Sequence, residues 1–278
     1  MDNIIFHKCP TNDTWARDHG FITLGGDGTY TLLDFRFNGW GDKFEAALDN
    51  AINRSLYDNG VVEGTYTDLN SFVLEGGSIE SDGRGTVLTT SQCLLAPHRN
   101  QPLTRSEIEL KLKSMLHAER ILWIDYGHLE GDDTDGHIDT LVRIAPDDTL
   151  LYIGCDDKSD SHYDDLKRME EQLKTFRTLE NTPYRLLPLP MPTAIYDEEG
   201  ERLPATYANF LIMNDAILYP TYNQPDNDQK AAQILAQAFP EKDIVGIDCC
   251  PLIKQHGSLH CVTMQYPESV KKQQTLKF

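Results

Sequence analysis

HIDTLVRIAPDDTLLYI, residues 137–153, holds two apolar runs split by the turn-forming PDDT. His137–Ile144 alternates with a period of two and Leu150–Ile153 is its return strand, so the stretch predicts an antiparallel hairpin. A charged helix over 160–179 and a strand over Tyr184–Leu189 follow, completing a hairpin–helix–strand unit. Upstream, Phe72–Glu75 is a strand broken by Gly76–Gly77. A hairpin tipped by SDGRG comes next, with Thr86–Leu88 as its return. Thr104-Arg-Ser-Glu107 is a capping-box signature opening a helix to His117, and Arg120–Asp125 is the strand beyond it. Earlier still, a strand through Leu24 turns at GGDGT into Tyr30–Phe35. Phe44, Ala47, Leu48, Ala51, Ile52 and Leu56 then recur at helical spacing over 42–57, and Gly60 stops the helix. Asn3–His7 is a further short apolar run fit for a strand. Downstream, Thr206–Met213 and Ala216–Tyr219 read as strands joined at Asn214–Asp215. A helix Asp228–Phe239 capped by Asp226 or Asn227 and a strand Asp243–Ile247 follow.

Four helices thus recur at roughly 50–65 residues, each bracketed by strands, which predicts an α/β chain of repeated ββαβ units closing as a radial array. A flat doubly wound sheet competes, but it has no need of the hairpins between helices. No linker or low-complexity run divides the chain, so residues 1–278 read as a single domain.

The chain carries 25 basic and 44 acidic residues, a formal net charge of −19. Such a surface repels phosphate backbones and argues against nucleic acid, while it suits a cationic substrate. The six cysteines form no disulfide framework: Cys249 and Cys250 are adjacent, and Cys9, Cys93, Cys155 and Cys261 stand alone. Reduced thiols in a cytoplasm fit better. No apolar run nears the ~18 residues of a membrane span, and the N-terminus lacks the features of a signal peptide. The expectation is a soluble cytoplasmic protein with no membrane partner, and a homo-oligomer is possible.

Cys261 lies in QHGSLHCVTMQYP, residues 255–267, which reads as a strand after Gly257. Alternation places Leu259, Cys261 and Thr263 on one face and His260 on the other, so His260 is expected to be structural and not the base for the thiol. His256 and His260 have the i, i+4 spacing of helical metal ligands, but Gly257 and the β-branched residues oppose a helix, and no metal is expected. His137 and Asp139, an H-x-D pair on one strand face, are an acid–base candidate. Asp132, Asp133 and Asp135 lack the order of a calcium loop and read as a polar loop. Asp18, in TWARDHG, could form a turn, and Glu75 is a carboxylate at a strand end. Asn214 is explained by its turn, whereas Asn209 sits inside an apolar strand and needs a buried partner.

Taken together, WARDHG (15–20), LEGGSIE (74–80), DDTDGHIDT (132–140), YANFLIMN (207–214) and GSLHCVT (257–263) occur in order. This set resembles the agmatine deiminase / bacterial peptidyl-arginine deiminase family of the guanidino-group-modifying (pentein) enzymes, and the likeness runs from about residue 12 to 267. The resemblance implies a five-module ββαβ propeller with a central site and no cofactor. It implies Cys261 as nucleophile, His137 as general acid/base, and Asp18 and Asp139 as the grip on a small cationic guanidine. Glu75 would orient the histidine, and Asn209 and Trp15 would lie at the substrate. The implied activity is hydrolysis of agmatine to N-carbamoylputrescine and ammonia. Deimination of peptidyl arginine, amidino transfer, and a catalytically inactive cation-binding propeller are the alternatives. The chain departs from the pattern twice. The family has about one module before W-x-R-D that is short or missing here, and Gln255-His256-Gly257-Ser258 stands where agmatine deiminases often carry GGGN.

Overall fold

Short turns can close only antiparallel pairs, whereas a parallel strand must be reached by a crossover of a dozen or more residues. Both connections recur in every part of this chain. The computed structural model describes residues 4–26 and 28–270, and within them the strands gather into four separate three-stranded sheets. The first holds β1 (Ile22–Gly26), β2 (Thr29–Arg36) and β3 (Thr65–Val73), and the second β4 (Ile79–Ser81), β5 (Thr86–Thr90) and β6 (Arg120–Ile124). The third holds β7 (Val142–Ala145), β8 (Thr149–Ile153) and β9 (Arg185–Leu189), and the fourth β10 (Leu211–Ile212), β11 (Ala216–Thr221) and β12 (Asp243–Asp248). In each, the first two strands pair antiparallel, and the third joins the second in parallel. The architecture is α/β with propeller-like modules, and the flat doubly wound sheet is excluded.

The crossovers carry helices α1 (Ile52–Asp58), α2 (Arg105–Leu116), α3 (Tyr163–Thr175) and α4 (Pro225–Ala238). The capping box opens α2 as its sequence predicts: Glu107 N donates to Thr104 Oγ1, and Thr104 N donates to the Glu107 carboxylate at 2.7 Å. Left-handed His117 ends it. Ile108, Leu112 and Leu116, one stripe at a spacing of four, are buried. Helix α4 starts three positions before the expected Asp228, with Gln224 at the N-cap in place of Asp226 or Asn227 and Pro225 in its first turn. Asp228 turns back instead and accepts from Tyr222 N, Gln224 N and the Tyr207 hydroxyl.

The expected helix over 42–57 is broken into Gly39–Asp42, Ala47–Asn50 and α1. Asp42 adopts positive φ, residues 43–46 are not helical and Ala51 is a turn, so the expected helix survives only in pieces. Phe44 and Leu48 are exposed, so the apolar spacing there is not one buried stripe. Asn3 lies outside the described residues, and Ile4–His7 forms no strand because nothing among the described residues pairs with it.

Each core spans a boundary between units. Leu33 and Phe35 of β2 pack with Ile108, Leu112 and Trp123. Leu88 and Ile124 pack with Leu141, Leu150 and Leu166, and Leu151 and Leu189 pack with Ile217 and Leu235. Burying one such side chain contributes roughly 1.5–3 kcal/mol. After the fourth unit the chain returns to the first: Phe21 N donates to the Tyr266 hydroxyl, and Val270 is buried against Phe21, Leu32 and Val62. That return draws residues 257–263 across to the loops of the first unit.

Candidate active site

Loops from the successive units line a cleft of about 150 Å³. Trp15, Asp18, Trp40, His137, Thr140, Asn209 and Cys261 form its walls, with Asp13, Asp132, Asp133 and His256 nearer solvent.

Asp18 sits in the single turn Ala16–His19 and is buried. Its Oδ2 accepts from Trp40 Nε1 at 2.9 Å, and its Oδ1 accepts from Gly77 N at 2.9 Å. The left-handed backbone at Trp40 and Gly41, just ahead of the expected helix, is what delivers Trp40 here. His137 Nδ1 lies 3.6 Å from Asp18 Oδ1. A Cβ on Gly77 would stand 2.6 Å from His137 Nδ1, 2.8 Å from Asp18 Oδ1 and 3.2 Å from Asp139 Oδ2. Three functional groups thus converge over one residue that has room for no side chain.

His137 and Asp139 are not on a strand, contrary to the alternation. The chain is extended at His137, makes a 3₁₀ turn over Ile138–Thr140, and enters β7 only at Val142. The Thr140 hydroxyl donates to His137 O at 2.8 Å and holds that turn. Burial opposes a charged imidazole at His137, but Asp18, Cys93 and Glu75 around it raise its pKa well above the ordinary value. Glu75 is fully buried behind it, outside the cleft wall, with Oε1 accepting from Arg99 Nε at 2.8 Å. Glu75 Oε2 and His137 Nε2 are buried without a hydrogen-bond partner. Ligand-type atoms of Glu75, Cys93 and His137 lie within 4.8 Å of one another. The Arg99 cation paired on Glu75 opposes a metal ion there.

Asp139 is completely buried. Its Oδ2 is 2.7 Å from His260 Nδ1, and its Oδ1 has no partner. Burial is the chief reason its carboxyl is pushed up to about 7; His137 pulls it down, and Asp18 adds to the rise.

Residues 259–262 form a turn and not a strand, so the alternation that sends His260 away from the site does not apply. The turn is pinned where it crosses the first unit, with Arg17 N donating to Cys261 O at 3.1 Å. The Cys261 thiol lies 3.4 Å from Asn209 Oδ1, which also accepts from His260 N at 2.9 Å. Asn209 precedes its shortened strand β10, and the turn that carries Cys261 is its buried partner. Burial first, then the carboxylates of Asp139 and Asp18, push the Cys261 thiol well above its ordinary value. A Cβ on Gly257 would meet the Trp15 indole at 2.2 Å, so the altered 255–258 stretch is itself a wall of the cleft. His256 turns to Gly131 O at 2.8 Å, away from His260. The acidic loop is fastened internally: Asp135 pairs with Lys43 and Arg99, and Asp132 accepts from Thr134 N and Gly136 N.

The seven residues that the resemblance places at the site, Trp15, Asp18, Glu75, His137, Asp139, Asn209 and Cys261, gather at this cleft or directly behind it. Sequence reading missed Trp40, Arg99, Cys93 and the inward His260. The Gly-Gly after Glu75 was the one local signal of close approach.

The model of the family described as Porphyromonas-type peptidyl-arginine deiminase matches residues 1–267. A curated "Putative agmatine deiminase" of Marinomonas sp. (strain MWYL1) is 33% identical over 289 residues, covering 96% of this chain and 77% of that one. The solved "Putative Arginine Deiminase" of Porphyromonas gingivalis superposes with a TM-score of 0.93 at 52% identity, covering 96% of this chain and 78% of that one. The agmatine deiminase of C. jejuni, solved as a Cys→Ser form with substrate bound, gives 0.86 at 43% identity, with 94% and 75% covered. The chain belongs to the agmatine deiminase / Porphyromonas-type peptidyl-arginine deiminase family.

Proposed function

We propose that the protein is a cysteine-dependent hydrolase that converts agmatine to N-carbamoylputrescine and ammonia, a step toward putrescine. The observation that carries the choice of substrate is the lining of the cleft: Asp13, Asp18, Asp132 and Asp133 face it, and no Lys or Arg does among the described residues. A guanidinium at one end and an ammonium at the other suit such a wall, whereas the carboxylate of free arginine does not.

In this reading the guanidinium lies between Asp18 and Asp139, which accept its paired N–H groups. In the empty cleft the thiol is kept protonated by burial and the two carboxylates. A bound cation neutralises that field, so binding favours the thiolate, the thiol proton passing to solvent. The Cys261 sulfur attacks the guanidinium carbon. His137, protonated beforehand, gives its proton to the departing amino group, and ammonia leaves an S-amidino-cysteine. Neutral His137 then takes a proton from water, the hydroxide adds to the same carbon, and the C–S bond breaks to release the ureido product. Glu75, close behind the ring, favours its charged form, and Asn209 and Trp15 shape the site. The proposal keeps residues 1–278 as one deiminase domain and the five-module ring; what supports the ring is one ββαβ plan repeated in four sheets.

Deimination of arginine within a peptide, where no free carboxylate intervenes, is the second reading, favoured by the name of the matching family. Incubation with agmatine, arginine and an arginine peptide, with ammonia and ureido product quantified, decides between them. Agmatine is expected to be turned over fastest. Preference for the peptide would establish the second reading, and no release from any of the three would overturn both.

A further inference from the structure

The turn that carries Cys261 also carries an imidazole that the chemistry above leaves idle. His260 is buried, with Nδ1 2.7 Å from Asp139 Oδ2. On its other side Arg143 Nη2 lies 3.4 Å from Nε2. A guanidinium offers only donors, so Nε2 must be the acceptor and the ring proton sits on Nδ1, facing Asp139. Arg143 is itself fixed, with Nε on Glu80 at 3.0 Å, Nη1 on the carbonyls of Ala208 and Phe210, and Cζ 4.5 Å from the Phe210 ring centroid. Arg17 adds a second cation on the His260 carbonyl at 3.4 Å, and His137 a third nearby. Burial, then Arg143, Arg17 and His137, hold the His260 pKa well below its ordinary value, with Asp139 the carboxylate in contact. The backbone of the same residue donates to Asn209 Oδ1, the atom the thiol also uses. Asp139 Oδ1 meanwhile is left without a partner.

Resting on the guanidine reading of the cleft, we propose that His260 is a positioning residue. Arg143 fixes it as a neutral Nδ1–H imidazole that aims the free oxygen of Asp139 at the guanidinium and ties that carboxylate to the nucleophile turn. The imidazole touches neither the sulfur nor the reacting carbon. A hydrogen bond to a charged group of this kind is worth roughly 10- to 100-fold in an equilibrium.

The test uses the full chain with His260→Leu, which removes the donor, and His260→Asn, whose amide N–H stands near the place of Nδ1–H. Agmatine affinity is measured by calorimetry in a Cys261→Ala background, alongside the pH profile of kcat/KM in the native background. His260→Leu is expected to weaken binding about 10- to 100-fold and to move the acid limb of the profile to higher pH. His260→Asn is expected to restore both to within about threefold, since it keeps the hydrogen bond. Nitrogen-15 chemical shifts of the unsubstituted protein need no folded variant, and are expected to give a neutral Nδ1–H ring across the range in which a free imidazole titrates. An Nε2–H or charged ring, or unchanged affinity and acid limb in a folded His260→Leu, would overturn the proposal. If the native protein releases no ammonia from any guanidine, the deiminase reading falls instead, and the ring tautomer and calorimetry still decide the role of His260.

Discussion

Asp139 has its carboxyl pushed up to about 7, mainly by burial, and only its ionised form can take the charge of a guanidinium. Because the value is raised, the free site holds a neutral Asp139 below it and a carboxylate above it. The kcat/KM for agmatine is therefore expected to climb as pH rises through about 7, and Asp139→Asn to remove both that limb and most of the activity. A pH series of initial rates that is flat across this range would refute the assignment. Cys261→Ser is expected to abolish ammonia release while leaving agmatine bound; a serine variant with near-native turnover would remove the nucleophile from the scheme. Gly77 gives a geometric test, since its missing Cβ would overlap His137, Asp18 and Asp139. Gly77→Ala is expected to lower kcat/KM about 100-fold, the effect of displacing reacting groups by an ångström, with far-ultraviolet circular dichroism unchanged.

At the scale of elements, the helices were legible where local signals agree with packing. The capping box of α2 stands where Thr104 and Glu107 predict it, and Thr104→Ala is expected to cost about 1 kcal/mol in chemical denaturation without altering turnover. Leu112, fully buried on the same helix, is expected to cost about 2–5 kcal/mol as Leu112→Ala. The site segments were the ones misread. His137–Leu141 and Leu259–Val262 have the composition of strands but form a 3₁₀ turn and an irregular turn. Alternation describes only backbones paired on a ladder, and these two segments are held by side-chain bonds from Thr140 and Asn209 instead.

For the whole molecule, the proposed dicationic substrate would meet both a formal net charge of −19 and the aspartates at the cleft mouth. Screening reaches about 10 Å at 0.1 M salt, so added salt is expected to raise the KM for agmatine while kcat changes little. Steady-state rates at several ionic strengths read this directly, and a KM indifferent to salt would mean the acidic surface only confers solubility.

The sequence by itself determined the hairpin–helix–strand repetition, because hydrophobic period, turn residues and caps are local properties that few residues settle. It also determined the family, because five motifs spaced along the chain keep their order. What only the tertiary structure decided is the assembly of the site. Trp40 reaches Asp18 through a left-handed backbone, Arg99 meets Glu75 inside the second unit, and His260 turns inward to Asp139. Those contacts join residues 22, 24 and 121 positions apart. Their side chains are oriented by burial and by hydrogen bonds that form only when the units pack around the cleft, and no local pattern encodes that.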